Sequence, residues 1–243
     1  MTTGNHIGCL LIHGFTSSPT EMAGLATFLK SKGYGVRLTR LPGHGSDPND
    51  LLSVTYRDWL QCVENDFAAV CAVSDQQFVI GLSLGGALAL HLAARRHFAG
   101  VVALAPALKI PNWKVALARL LAPLKTTRLK KAGPDVRDPA GKLLLDSYSS
   151  YPIAALQQVF RLQRFVRAEL ADIQLPLLVI HSKQDHTVPF GNVDYLLKQV
   201  RSQAVEVLAL EESYHVLTVD VERDLVFARV AAFLERKTEC AIA

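Results

Sequence analysis

The chain has 243 residues, half of them hydrophobic and a fifth charged, with a formal net charge of +4. That balance excludes a disordered or fibrous chain and fits one generous domain, or one domain carrying an insertion. The surplus of basic residues is local: 106–172 holds twelve Lys/Arg against five Asp/Glu, so the remainder is slightly acidic.

From the N-terminus, Ile7 to Ile12 (IGCLLI) is a buried strand, Thr20 to Ser31 a helix and Gly35 to Leu41 a second strand. A helix follows over Thr55 to Val73, with Trp59, Val63, Phe67 and Val70 on one face. Then come a strand at Gln77 to Gly81, a helix from Leu84 to Arg95 and a strand at Gly100 to Ala105. After an interruption the alternation resumes. It runs through a strand at Leu177 to His181, a helix over Pro189 to Val200, a strand at Ala204 to Leu210 and a closing helix over Val219 to Arg236. Continuous Val/Ile/Leu runs alternating with amphipathic helices specify a parallel sheet covered on both faces, with about six strands.

The interruption, 106–172, carries helical patterns at Trp113 to Leu121, Ala140 to Ser147 and Ile153 to Ala168, separated by prolines. Its place between two core strands makes it a cap over the carboxyl edge of the sheet, where parallel α/β proteins bind ligands. The core is then 1–105 with 173–243. The basic stretch WKVALARLLAPLK reads as the solvated face of a helical cap, and alternatively as a contact for an anionic lipid surface. Four cysteines (Cys9, Cys62, Cys71, Cys240) show no CxxC pairing, so buried free thiols are expected. The opening MTTGNHIGCLLIHGF lacks a signal-peptide pattern, and no apolar run is long enough to span a membrane. A soluble, cytoplasmic protein is expected.

The segment GLSLGGALALH follows the strand FVI and seats Ser83 between Gly81 and Gly85. Glycine weakens local structure, so its use here has a purpose. A sharp strand-to-helix turn pushes the serine oxygen outward and tolerates only very small residues two places either side. The helix then aims its free amides at the space beside Ser83. A hydroxyl needs a base, and the base needs an orienting carboxylate. Asp185 lies in the loop after LLVIH, and His215 in the loop after AVEVLAL, giving the order Ser, Asp, His on three strand-exit loops. Among the other histidines, His181 reads as core, His186 as a pocket or surface residue, and His6, His91 and His97 as lacking a partner. Asp194 and Asp220 compete for the acid role but read as surface charges on helices. Oxyanion donors are expected from the backbone N–H of Leu84 and of Phe15 in the loop HGFTSSP, which also reads as a turn with Thr20 as helix N-cap. Gly14, Trp113, Val188 and Tyr214 are candidate substrate-binding residues.

Taken together, LLIHGFTSSP, LPGHG, GLSLGG, HSKQDHTVP and SYHVLTVD resemble the α/β-hydrolase superfamily, and within it compact bacterial carboxylesterases similar to monoacylglycerol lipases. The resemblance spans the chain apart from the cap. It implies the α/β-hydrolase fold, a mainly parallel sheet of about six or seven strands with helices on both faces and a small helical cap. It also implies an acyl-serine intermediate, no metal, no cofactor and an apolar acyl pocket under the cap, which Leu108, Ile110 and Trp113 help to form. Matched residue by residue, Ser83, Asp185 and His215 fall on the triad, and Phe15 and Leu84 on the oxyanion hole. Two departures stand out. The antiparallel hairpin that often opens this fold is missing or shortened, and Tyr214 precedes the histidine where relatives commonly carry glycine.

The expected activity is hydrolysis of carboxylic esters, either short- to medium-chain acyl esters or monoacylglycerols. Acyltransferase, thioesterase and peptidase chemistry use the same acyl-enzyme and stay open, as does a hydrolase-fold binding protein without turnover. The partner is a small ester or lipid, not nucleic acid, since the basic residues form no recognisable binding motif.

Overall fold

The computed structural model describes residues 6–110, 120, 127–130 and 133–240. Its main sheet has six parallel strands: β1 (Ile7–Ile12), β2 (Gly35–Leu38), β3 (Gln76–Leu82), β4 (Gly100–Leu104), β7 (Leu177–Ser182) and β8 (Val205–Leu210). They lie in the order β2-β1-β3-β4-β7-β8. Helices α1 (Thr20–Ser31), α2 (Tyr56–Cys71), α3 (Leu84–Arg95), α6 (Asn192–Leu197) and α7 (Arg223–Cys240) belong to this frame. Between β4 and β7 lie strands β5 (Thr127–Leu129) and β6 (Ser150–Pro152), with helices α4 (Pro139–Leu143) and α5 (Ile153–Glu169).

The central strands are apolar on both faces because each face has its own core. Leu10, Ile12, Val79, Val101, Ala103, Leu177 and Val179 pack with Trp59, Val63 and Phe67 of α2 and with α3 and α5. The alternate residues Cys9, Leu11, Phe78, Ile80, Val102, Leu104, Leu178 and Ile180 pack with Met22, Leu25 and Leu29 of α1 and with Val226, Val230 and Phe233 of α7. Side chains alternate across a strand, so a residue facing one core has neighbours facing the other.

After β1 the chain moves outward to β2 at the edge, then returns past β1 to form β3 on its other side. The loops leaving β1 and β3 therefore diverge from adjacent strand ends, paired as far as Ile12 with Gly81. A cleft opens where strand order reverses in this way.

Most expected elements form, and the differences have local causes. β2 ends at Leu38 instead of Leu41, and α6 is confined to Asn192–Leu197. In 106–172 the antiparallel pair β5–β6, with Arg128 opposite Tyr151, was not expected. Three-residue strands are too short to show an alternation. The pattern at Trp113 to Leu121 lies outside the described residues except for Leu120, and so does most of the proposed lipid-contact stretch. Helix α1 has Pro19, not Thr20, at its N-cap, without a side-chain cap. Cys9 is buried, but Cys62 is only partly so and Cys71 is exposed; all three are free thiols.

The closing helix begins at Arg223, four residues later than expected, because the turn before it is organised by Asp220. Asp220 is not a surface charge: it is 0% exposed. Its Oδ1 accepts from the amides of Asp138 and Val221 at 2.9 Å, its Oδ2 from Tyr214 at 2.7 Å, and both oxygens from Arg137 at 3.0 Å. One carboxylate thus joins the strap before α4 to the loop after β8. Replacing it leaves several buried amides without acceptors, each costing about 1–3 kcal/mol. Asp220→Ala is expected to lose on the order of 3 kcal/mol or more of stability, read as a lower urea midpoint.

Candidate active site

At the end of β3 the chain turns at Ser83, whose backbone sits at φ 58° and ψ −112°. L-residues avoid this region, and one held there marks a site whose surroundings over-determine it. The Ser83 amide donates to the Leu104 carbonyl at 2.9 Å, and its own carbonyl accepts from Ala87 and Ala107 at 3.1 Å. A Cβ on Gly81 would stand 2.0 Å from the Gly85 carbonyl oxygen. A Cβ on Gly85 would stand 2.2 Å from the Ile12 carbonyl oxygen. Gly81 therefore permits the turn itself, whereas Gly85 lets α3 start against the end of β1. Among the described residues, positive φ at non-glycine positions occurs at Thr16, Ser83 and Ala105, all just beyond the carboxyl ends of β1, β3 and β4.

The structure brings Ser83, His215 and Asp185 together. Ser83 Oγ lies 2.8 Å from His215 Nε2, and His215 Nδ1 lies 2.7 Å from Asp185 Oδ2. The network assigns the tautomer: Nδ1–H donates to the carboxylate, and Nε2 accepts from the hydroxyl. Ser83 is 9% and His215 7% exposed, so the line of groups is nearly closed to bulk water.

Burial alone would lower the His215 pKa, but the charge and hydrogen bond of Asp185, followed by the charges of Glu21 and Asp135, raise it above its usual 6.5. Burial alone would raise Asp185. The charge of His215, hydrogen bonds from His181 and His215, and the Val188 amide outweigh it and hold the carboxyl well below the usual carboxylate range. Asp185 Oδ1 accepts from Thr187 and Val188 amides at 2.8 and 2.7 Å. The Asp185 side chain is thus fully hydrogen-bonded at its loop.

Two partners of this line had little sequence signal. His181 is core, as its strand-end address suggested, yet its Nε2 also lies 3.1 Å from Asp185 Oδ2. Asp135 belongs to the segment before α4; its carbonyl accepts from the amides of His215 and Val216 at 3.0 and 3.2 Å. Its carboxylate accepts from the His186 amide, His186 Nδ1 and the Thr187 hydroxyl at 3.0–3.1 Å. The His186 ring is exposed and meets Tyr214 edge-on at 4.5 Å. His91 has a partner after all: its Nδ1 lies 2.7 Å from Glu169, far from the cleft in the α3–α5 contact.

On the opposite wall, Gly14 comes so close to Ser83 that a Cβ there would lie 3.3 Å from the serine Cβ. The loop's next residue, Phe15, is held by edge-on contacts with His44, Trp59 and Tyr151 at 5.6–6.2 Å. His13 anchors the loop from beneath, donating from Nδ1 to the Gly14 carbonyl at 2.8 Å and accepting at Nε2 from Leu41 at 3.2 Å. Burial, and then the charge of His44, lowers the His13 pKa to about 3, which keeps this pattern fixed at neutral pH. Leu84 supplies the first amide of α3, free of any intrahelical acceptor. Of the candidate substrate contacts, Val188 is 1% exposed, Tyr214 is half-buried, Leu108 is fully buried, and Trp113 lies outside the described residues. No group of three or more His, Cys, Asp or Glu among the described residues is placed to hold a metal. No described helix is long and apolar enough to cross a membrane.

A wholly parallel sheet with a strained serine at the switch point defines an α/β-hydrolase-fold enzyme. Residues 5–222 match the family model described as serine aminopeptidase, S33. The chain belongs to that family of serine hydrolases. A thermostable monoacylglycerol lipase of Bacillus sp. (strain H-257) is 35% identical over 231 residues, covering 95% of this chain and 91% of the relative. A carboxylesterase of Bacillus subtilis (strain 168) is 26% identical, covering 96% and 94%. Among solved structures, one of the metagenome-derived lipolytic enzymes LipS and LipT superposes with a TM-score of 0.89 at 32% identity, covering 96% and 95%.

Two outcomes test the geometry. Gly85→Ala, which drives a methyl into the Ile12 carbonyl, is expected to abolish folding or lower the thermal midpoint sharply, whereas Gly191→Ala, in open space, leaves it nearly unchanged. In an NMR titration, the His215 imidazole is expected to change protonation above pH 6.5 in the intact protein. Asp185→Asn is expected to bring that midpoint down, because the carboxylate charge is what opposes burial.

Proposed function

We propose that the enzyme hydrolyses carboxylic esters of small alcohols, monoacylglycerols among them, through an acyl-serine intermediate on Ser83. His215 takes the Ser83 proton at Nε2 as Oγ attacks the ester carbonyl, and Asp185 stabilises the resulting imidazolium. The amides of Phe15 and Leu84 bind the oxyanion, each contributing about 3–4 kcal/mol. The carbon–oxygen bond to the alcohol then breaks, and His215 returns the proton to the departing oxygen. Water, deprotonated by the same imidazole, releases the acid and restores Ser83.

The observation that carries this reading is the unbroken line from Ser83 Oγ through His215 to Asp185, at 2.8 and 2.7 Å. The ester class is supported by the relatives named monoacylglycerol lipase and carboxylesterase. The family description also names an aminopeptidase. That activity would need a carboxylate to take the substrate ammonium, and an aminoacyl anilide separates it from ester hydrolysis.

The test is hydrolysis of aryl esters and 1-monoacylglycerols of rising chain length, with Ser83→Ala as the blank, and an aminoacyl anilide as the peptidase probe. Turnover is expected on the esters and not on the anilide. Ser83→Ala is expected to stay folded and lose at least ~10,000-fold in kcat. A fluorophosphonate is expected to label Ser83 and no other residue. An active, folded Ser83→Ala protein overturns the assignment.

A further inference from the structure

Close to the candidate oxyanion hole the structure buries the carboxyl group of Glu21 and sets the half-buried ammonium of Lys130 within range of its charge, an arrangement that acyl transfer does not itself require. Glu21 of α1 is 6% exposed, and its Oε2 accepts from the Gly14 amide at 2.5 Å. Gly14 precedes Phe15, so this carboxylate is separated from the Phe15 amide by a single residue. Burial raises the pKa of this carboxyl, against the Gly14 amide and the charges of His215 and Lys130, and when ionised without a countercharge it would oppose the negative charge that an oxyanion hole exists to receive. The countercharge comes from the cap. Lys130, next after β5, directs Nζ to Thr16 Oγ1, and to Ser147 Oγ at 3.0 Å.

Thr16 is also the strained member of the loop, at φ 64°. Positive φ is a genuine outlier for a β-branched residue and persists only where neighbours enforce it. Those neighbours belong to the cap. The Thr16 carbonyl accepts from the Tyr148 amide at 2.8 Å and the Ser147 hydroxyl at 3.2 Å. The Thr16 hydroxyl, held by Lys130, donates to the Phe15 carbonyl at 2.6 Å. Lys130 is therefore connected through one hydroxyl to the peptide that follows Phe15.

We propose that Lys130 is a positioning residue for the oxyanion hole: its ammonium fixes Thr16 beside Phe15 and neutralises Glu21, so that the cap sets how well the hole binds negative charge. The proposal rests on the acyl-transfer reading above. The charged and titratable groups facing Lys130 among the described residues are Glu21 from α1 and His44 from the loop after β2. Burial holds the His44 pKa at about 4, leaving it neutral. Burial also lowers Lys130 to about 8, although Glu21 works in the opposite direction. The ammonium is then present below pH 8 and lost above it, and an arginine in its place would keep its charge.

The test compares Lys130→Met, Lys130→Arg, the double variant Glu21→Gln/Lys130→Met and Ser83→Ala on one aryl ester. Affinity for a trifluoromethyl ketone, which forms an oxyanion, is measured alongside. Lys130→Met is expected to lose about 10- to 100-fold in kcat with KM nearly unchanged, and ketone affinity by the same factor. The double variant regains part of that loss, since the unpaired carboxylate is gone. In the intact enzyme kcat falls as pH passes about 8. Lys130→Arg retains most of the activity and lacks this alkaline fall. Unchanged kcat and ketone affinity in Lys130→Met, beside an inactive Ser83→Ala, overturn the proposal while leaving the acyl-enzyme intact. So does an alkaline fall that persists in Lys130→Arg. Turnover surviving in Ser83→Ala overturns the acyl-enzyme reading and this proposal with it.

Discussion

Crowding where β1, β3 and the start of α3 meet governs the rest of the molecule. Two strand ends and a helix start share a space in which the atoms of a single extra methyl group would lie about 2 Å from a carbonyl oxygen. The chain meets that demand with Gly81 and Gly85 and with Ser83 in a conformation that costs about 1–3 kcal/mol. The strain persists because both sides of the sheet are filled. Each central strand feeds two cores, and neither can relax without disturbing the other. The serine is aimed by the fold as a whole, not by its own turn.

Residues between β4 and β7 hold the loops around Ser83 in place. Asp135 supplies the acceptor for the His215 amide and, through its carboxylate, grips the loop that follows Asp185. Asp220 joins Arg137 and Asp138 of the same strap to Tyr214. Tyr148 spans the other side, accepting from the Ser46 amide and donating to the Gly43 carbonyl, both at 3.0 Å. Three loops that leave the sheet are thereby tied to residues that follow β4, so their relative positions do not depend on the sheet alone.

The histidines make the electrostatic logic plain. His13, His44 and His215 are all buried, yet His13 and His44 are driven down to about 3 and 4 while His215 is raised. Burial lowers all of them. What distinguishes His215 is carboxylates: Asp185 in direct contact, and Glu21 and Asp135 nearby. His13 has no such partner and serves as a neutral hydrogen-bonding strut under the Gly14 loop. One side-chain type is raised or lowered in pKa according to the charges packed around it.

The primary structure by itself determined the layered frame, because buried parallel strands and amphipathic helices leave periodic apolar patterns that survive in one dimension. It also marked Ser83, since a glycine on each side of a lone hydroxyl is hard to account for otherwise, and it placed Asp185 and His215 by their addresses after strands. Lone polar residues in irregular segments carried no such pattern. Asp220 read as a surface charge, His91 as partnerless, and Asp135, Glu21 and Lys130 drew no functional reading. Their roles depend on contacts across dozens of residues, such as Lys130 to Thr16 and Asp220 to Arg137, which only the packed chain creates. Periodicity encodes which face is buried; it holds no record of which distant hydroxyl or amide a buried charge will meet.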